Sequence, residues 1–187
     1  MDLRTKKTQR AIREAFLTLR AKKPLERITV KELAELAEIS KATFYLHYQD
    51  IYDLSDQMQR DVIQDTMEQL TRPDAFLQDP MQFMREFVQA FYDRRAVTQV
   101  LFSGVQAYQF PAYIEESFRQ YYAQHFPHLE QDSQFQAFLT YQVYGSYFAF
   151  LNNVDRFGRR PVLEALHDLS QALTASSAYR QAVESCQ

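Results

Sequence analysis

TVKELAELAEISKATFYLHY, residues 29–48, reads as two short helices joined by a tight turn. Thr29 stands where a side-chain oxygen can cap the first helix. Glu32 follows three residues later, so the pair has the spacing of a capping box. Leu33, Leu36 and Ala37 fall at i, i+3 and i+4 and predict one buried stripe. Glu38-Ile39 is too short for a linker. Ser40 can cap a second helix over Lys41–His47, with Phe44 and Tyr48 as its apolar face. Ala34 and Ala37 are small where the two helices must cross. This is the pattern of a helix-turn-helix, whose second helix enters the major groove of DNA.

The charge distribution points the same way. The net charge is −3, but residues 1–41 hold 11 of the 21 Lys and Arg and only 6 of the 24 Asp and Glu. No lysine follows Lys41. Clustered cations suit a polyanion partner, because phosphate contacts need them.

Composition sets the class. Hydrophobic residues make up 46% and charged residues 24% of 187, the balance of a globular chain with room for one sizeable core or two small ones. With 3 Gly and 6 Pro and long periodic runs between them, the expectation is an all-α fold of about nine helices. No run of about 18 apolar residues occurs, so no membrane span is expected. The start, MDLRTKKTQR, lacks the apolar core of a signal peptide. A single cysteine, Cys186, cannot form an internal disulfide, and a cytoplasmic location is the default.

Outward from the central stretch, residues 5–22 read as a helix with the stripe Ile12, Ala15, Phe16 and Leu19. Lys6, Lys7, Arg10 and Arg13 lie near its start. Asp50 can cap a fourth helix, Ile51–Leu70, closed by Thr71-Arg72-Pro73-Asp74. Asp79-Pro80 opens a fifth, in which Phe83, Phe87 and Phe91 repeat at i+4 with Met84 and Val88 beside them. Further helices are expected over 97–105, from Phe110 to His125, over 133–153 and over 161–175, with Pro127 as a stop.

The N-terminal part resembles the DNA-binding domain of TetR-family transcriptional regulators. The resemblance rests on TQRAIREAFLTL (8–19), ITVKELAELAEISKATFYLHY (28–48) and DIYDL (50–54). The run Thr43-Phe44-Tyr45 followed by His47-Tyr48 carries it furthest. The family usually has lysine at the start of the fourth helix, where it meets a phosphate; Ile51 stands here, and Gln49 is the nearest substitute. The later part is similar to the C-terminal domain of short TetR-like regulators of Gram-positive bacteria, through its aromatic penultimate helix with Tyr144-Gly145. It lacks the tryptophan common after that glycine.

The resemblance implies a DNA-binding domain over 1–50 and a ligand-binding and dimerisation domain over 51–187. It implies a homodimer through the last two long helices on a palindromic double-stranded DNA operator, and a repressor released by a small-molecule effector. Thr43, Tyr45 and His47 would then meet phosphates. Lys41, Ala42 and Leu46 would approach base edges, with Ser40 at the cap. Thr29 and Lys31 would meet phosphate at the start of the second helix.

The remaining aromatics, 13 Phe and 9 Tyr after residue 55, either fill cores or line a pocket. Phe87, Phe91, Tyr108, Tyr141, Tyr144 and Phe148 are the candidate ligand residues. His125 and His128, with Glu130 near, have metal-ligand residue types, but Pro127 breaks their register. No metal, cofactor or catalytic constellation is expected. A coregulator whose second domain binds a protein and no small molecule is the competing reading. An enzyme with a vestigial reader lacks any paired acid, base or nucleophile.

Overall fold

The computed structural model describes residues 3–69, 79–176 and 179–180, and they form an all-α fold. Ten α-helices occur among the described residues. They are α1 (Leu3–Arg20), α2 (Val30–Leu36), α3 (Lys41–Tyr45), α4 (Ile51–Gln69) and α5 (Pro80–Asp93), then α6 (Arg95–Leu101), α7 (Phe110–His125), α8 (Pro127–Glu130), α9 (Ser133–Phe157) and α10 (Arg159–Thr174). Pro127, expected to end a helix, also begins the single turn of α8. Proline at a first helical position sacrifices an N–H that has no partner there in any case. The stop at Thr71–Asp74, Cys186 and the side chains of Met84 and Val88 lie outside the described residues.

The chain forms two compact units. The first comprises residues 1–64 and 91–108, the second 65–90 and 109–187. Compactness thus groups residues differently from the functional boundary expected at residue 50. In the first unit the expected stripe of α1, Ile12, Ala15, Phe16 and Leu19, is buried. It meets Leu33 of α2, Phe44 of α3, Tyr48, and Ile51, Leu54 and Met58 of α4 in one cluster. Leu101 of α6 completes that cluster, with Val97 and Phe102 packed against it. The Gln59 side-chain amide, itself buried, donates to the Leu101 carbonyl at 2.8 Å. This satisfies one of the acceptors that the end of α6 leaves over.

Local chemistry sets the helix ends. The Thr29 hydroxyl accepts from the Glu32 N–H at 3.3 Å, and Ser40 Oγ accepts from the Thr43 N–H at 3.0 Å. Asp50 and Asp53 cap α4 reciprocally: the Asp53 N–H donates to Asp50, and the Gln49 N–H to the Asp53 carboxylate, both at 2.8 Å. Half of the capping box expected at α2 is replaced. The Glu32 carboxylate pairs with Lys23 of the preceding connector instead of returning to the cap.

The buried face of α2 is Leu33, Ala34 and Ala37; Leu36 is 48% exposed. Leu36 lies roughly 100° around the helix from the centre of that face, at 100° per residue. α2 packs against α1 and α3, and small Ala34 and Ala37, 3% and 9% exposed, fill those contacts in its place.

The turn between α2 and α3 is a Schellman motif on a residue unsuited to it. The Ile39 N–H donates to the Ala34 carbonyl at 3.0 Å and the Glu38 N–H to the Glu35 carbonyl at 3.3 Å. Glu38 therefore adopts φ 55°, the left-handed region that glycine normally occupies.

In the second unit, rings build the core. Phe83 lies 5.4 Å from Phe118, Tyr122 meets Phe135 edge-on at 5.0 Å, and Phe138 lies 4.4 Å from Tyr179. α9 packs along α10. Between them the Gln142 amide donates to Ser170 Oγ at 2.9 Å, both side chains being buried. That pair fixes the register of the two helices, since sliding either would strand a buried polar group.

Replacing Glu38 with glycine should stabilise the chain by about 0.5–1 kcal/mol, because the left-handed strain outweighs the entropy that glycine adds to the unfolded state. Urea denaturation of the two proteins checks this; equal or lower stability in Glu38→Gly would mean that the turn carries no strain.

Candidate nucleic-acid interface

α3 has only 5 residues, too few hydrogen bonds to persist alone. Tertiary contacts therefore position it. Phe44 is fully buried and Tyr48 nearly so, their rings 5.7 Å apart. Behind them, Arg13 of α1 donates through Nε to the Tyr48 hydroxyl at 3.4 Å and through Nη2 to Asp61 of α4 at 2.5 Å. Burial works against the charge of Arg13, but Tyr48 and Asp61 together outweigh it and raise the guanidinium above its usual range. One side chain thus ties together α1, the segment that follows α3, and α4.

With Phe44 and Tyr48 turned inward, Lys41, Ala42, Tyr45 and Leu46 point out. They are spaced i, i+1, i+4 and i+5, one face of a helix. Tyr45 is 57% and Leu46 82% exposed. Of the other sequence-predicted residues, Thr29, Lys31 and Ser40 are exposed, and Thr43 and His47 are half-buried. Ser40 Oγ lies 2.8 Å from Thr43 Oγ1, so the two hydroxyls already share one hydrogen bond. His47 lies beside the Tyr48 ring, 6.4 Å between centroids. Lys31 stands 3.9 Å from Glu35 in an exposed pair, a contact weak enough to exchange for a phosphate. Lys41 makes no ion pair among the described residues.

The cations of residues 1–41 are not all surface charge. Arg13 is held as described. Lys23 pairs with Glu32 and Arg20 is buried, whereas Arg10, 2.7 Å from Glu14, stays in an exposed pair. At the start of α4, Ile51 is buried in the core, while Tyr52 beside it is 55% exposed. Tyr52 thus offers a hydroxyl next to the position where the sequence lacks a lysine. Sequence reasoning passed over it because nothing local distinguishes an outward Tyr52 from an inward one.

The six candidate ligand residues divide between the units. Phe91 and Tyr108 belong to the first; Phe87, Tyr141, Tyr144 and Phe148 belong to the second. Phe91 rests against Phe102 at 5.7 Å. Phe87 is buried, and Tyr108 and Tyr141 are open to solvent. Tyr144 and Phe148 lie 6.4 Å apart on α9, and burial near Glu115 raises the Tyr144 phenol above its usual range. His125 stacks on Tyr121 at 4.2 Å and places Nδ1 2.9 Å from the Tyr121 carbonyl.

Comparison with known proteins gives one partial likeness. Over 67 residues, 35% of this chain, the sequence is 37% identical to YxbF of Bacillus subtilis strain 168, an uncharacterised HTH-type transcriptional regulator. The matched stretch spans 17% of that protein. No family model matches the chain, and no solved structure does. No helix among the described residues is long and apolar enough to cross a membrane.

Arg13→Met should cost about 1–2 kcal/mol of stability, since it removes a half-exposed ion pair and leaves the Tyr48 hydroxyl without its donor. Thermal denaturation measures the loss. A variant as stable as the parent would show that Arg13 does not hold α3 in place.

Proposed function

We propose that the chain is a DNA-binding transcriptional regulator of the TetR type. The observation that carries this reading is the outward face Lys41, Ala42, Tyr45 and Leu46 on a short helix whose opposite side is locked into the core. A leucine that exposed on a rigid helix suits contact with thymine methyls, and a lysine in the first turn suits guanine O6 and N7. Tyr45, Thr43, Thr29, Lys31 and Tyr52 supply hydroxyls and charge for phosphates, which set register without reading sequence. The partial likeness to an HTH-type regulator supports the same reading.

On this reading the protein works as a homodimer on a palindromic operator, because one small unit meets only one half-site. The second unit supports that. On α9, no residue beyond Val143 is buried, although Tyr147, Phe148, Phe150, Leu151 and Val154 follow. Phe157 of α9 and Leu169 of α10 are exposed. Apolar area of that kind is what a second copy covers. The TetR resemblance adds the rest of the proposal: repression, a small-molecule effector in the second unit, and no enzymatic step.

Operator binding should fall steeply with salt. Three to four phosphates neutralised per protomer give a log–log slope of about −5 to −7 for the dimer. Lys41→Ala should lose about 1–3 kcal/mol at one base pair and relax preference there, whereas Tyr45→Phe should weaken all sequences alike. Fluorescence anisotropy against an operator selected from random DNA and its single-base variants tests both. A flat salt dependence would remove the DNA-binding reading. A uniform loss in Lys41→Ala would move specificity to Ala42, Leu46 or DNA shape.

Tyr147→Glu with Leu166→Glu should convert dimers to monomers, because two carboxylates would have to be desolvated in an apolar contact. Sedimentation velocity decides it, and unchanged dimers would place the interface elsewhere.

A further inference from the structure

α1 enters the first unit's core at Ala11 and Ile12. The two turns before that, residues 3–10, contain no buried residue. At 1.5 Å per residue they extend about 12 Å beyond the core. Their charge is one-sided. α1 carries Arg4, Lys6, Lys7, Arg10 and Arg13 before its one acid, Glu14, and has no acid in its first turn. Lys6, Lys7 and Arg10 are exposed. Lys6 and Lys7 make no ion pair among the described residues. The pair of Arg10 with Glu14 lies in solvent, its side chains 81% and 62% exposed.

This arrangement works against the helix. The first turn of a helix carries positive partial charge, so cations there are repelled and acids favoured. No buried side chain in these turns offsets that repulsion. A local choice that opposes the fold marks a functional demand. The placement of the turns says which demand. At 100° per residue, Lys6, Arg10 and Arg13 fall within about 60° of one another around α1. Arg13 meets the Tyr48 hydroxyl, three residues past the end of α3. Arg10 and Lys6 continue that row away from the core, by about 5 Å and about 10 Å along the axis. Lys7 stands at its edge. The row thus begins beside the segment that follows α3 and ends in solvent.

We infer that residues 3–10 of α1 are a second DNA-contact element, which lays Lys6 and Lys7 against the phosphate backbone outside the base pairs that α3 covers. The inference rests on the DNA-binding reading proposed above and extends it from the major groove to the flanking backbone. A polyanion turns the repulsion within α1 into attraction, because each phosphate there releases counterions and relieves the cations of one another. Arg10 exchanges its exposed carboxylate for a phosphate at little cost, since such a pair contributes little in water. Lysine, a point charge on a flexible stem, suits a phosphate. Contacts of that kind add affinity and register but no sequence preference.

The test uses the full chain and an operator duplex selected from random DNA, made in two lengths. One carries flanking DNA on both sides; the other is trimmed to the outermost base pairs at which substitution changes affinity. Lys6→Gln with Lys7→Gln removes both charges and keeps good helix formers. Salt titrations by fluorescence anisotropy should show the double variant binding the long duplex about tenfold more weakly or worse, with a log–log slope shallower by about 2–4 for the dimer. Its preference among single-base variants should equal the parent's. Trimming should cost the parent a similar factor and leave the variant nearly unchanged, so that the two converge on the short duplex. The variant's Tm should match or exceed the parent's, because cations leave the first turns of a helix. Parental affinity and slope in the variant on the long duplex overturn the inference and leave the DNA-binding reading standing. An equal loss on both duplexes overturns it as well, since the lysines then act through the long-range field or inside the read base pairs. No operator binding by the parent removes the reading itself, and the inference with it.

Discussion

Burial of the Phe44 and Tyr48 rings is the constraint on which the outward face of α3 depends. A helix of one and a half turns has no stability of its own, and its outward residues are placed only as firmly as its inward ones. Phe44 meets the first unit's core directly. Tyr48 does so with a hydroxyl that needs a partner, and Arg13 supplies it while also binding Asp61. The orientation of Lys41, Ala42, Tyr45 and Leu46 therefore follows from groups on α1 and α4 that do not belong to the outward face.

The same economy explains the basic N-terminal segment. Its positive charge divides into two populations. Arg13, Lys23 and Arg20 are committed to pairs or burial within the unit. Lys6, Lys7 and Lys41 remain at the surface. Formal charge counted along a sequence measures the long-range field that draws a polyanion in. It overstates the number of direct contacts, because a cation held inside the unit is not turned toward a partner.

What was legible in the sequence was local. Thr29, Ser40, Asp50 and Asp79 each cap a helix because a short polar side chain reaches the N–H groups two or three residues on, and such spacing is visible in one dimension. The stripe Ile12, Ala15, Phe16 and Leu19 was visible for the same reason. Leu36 was misplaced because the buried face of a helix with two neighbours is set by both, and periodicity describes only one. The pairing of Glu32 with Lys23 rather than with its own cap depends on how the connector folds back. The left-handed backbone at Glu38 was hidden, since glutamate does not advertise it as glycine would. The outward face of α3 was legible once Phe44 and Tyr48 were taken as core. The outward Tyr52 was not, since nothing local distinguishes it from an inward one.

Leu101 sits in the first unit's core although some forty residues separate it from Met58. This has a consequence for synthesis. Chains emerge from the ribosome N-terminus first at about 5–20 residues per second, so the helix-turn-helix is outside the tunnel for seconds before the side chain that completes its core. During that interval the cluster lacks the Leu101 side chain, and Gln59 has no carbonyl to bind. A fragment ending at residue 64 would stay in that state permanently. Completion of the first unit's core is thus a late event in the life of the chain, timed by the arrival of α6.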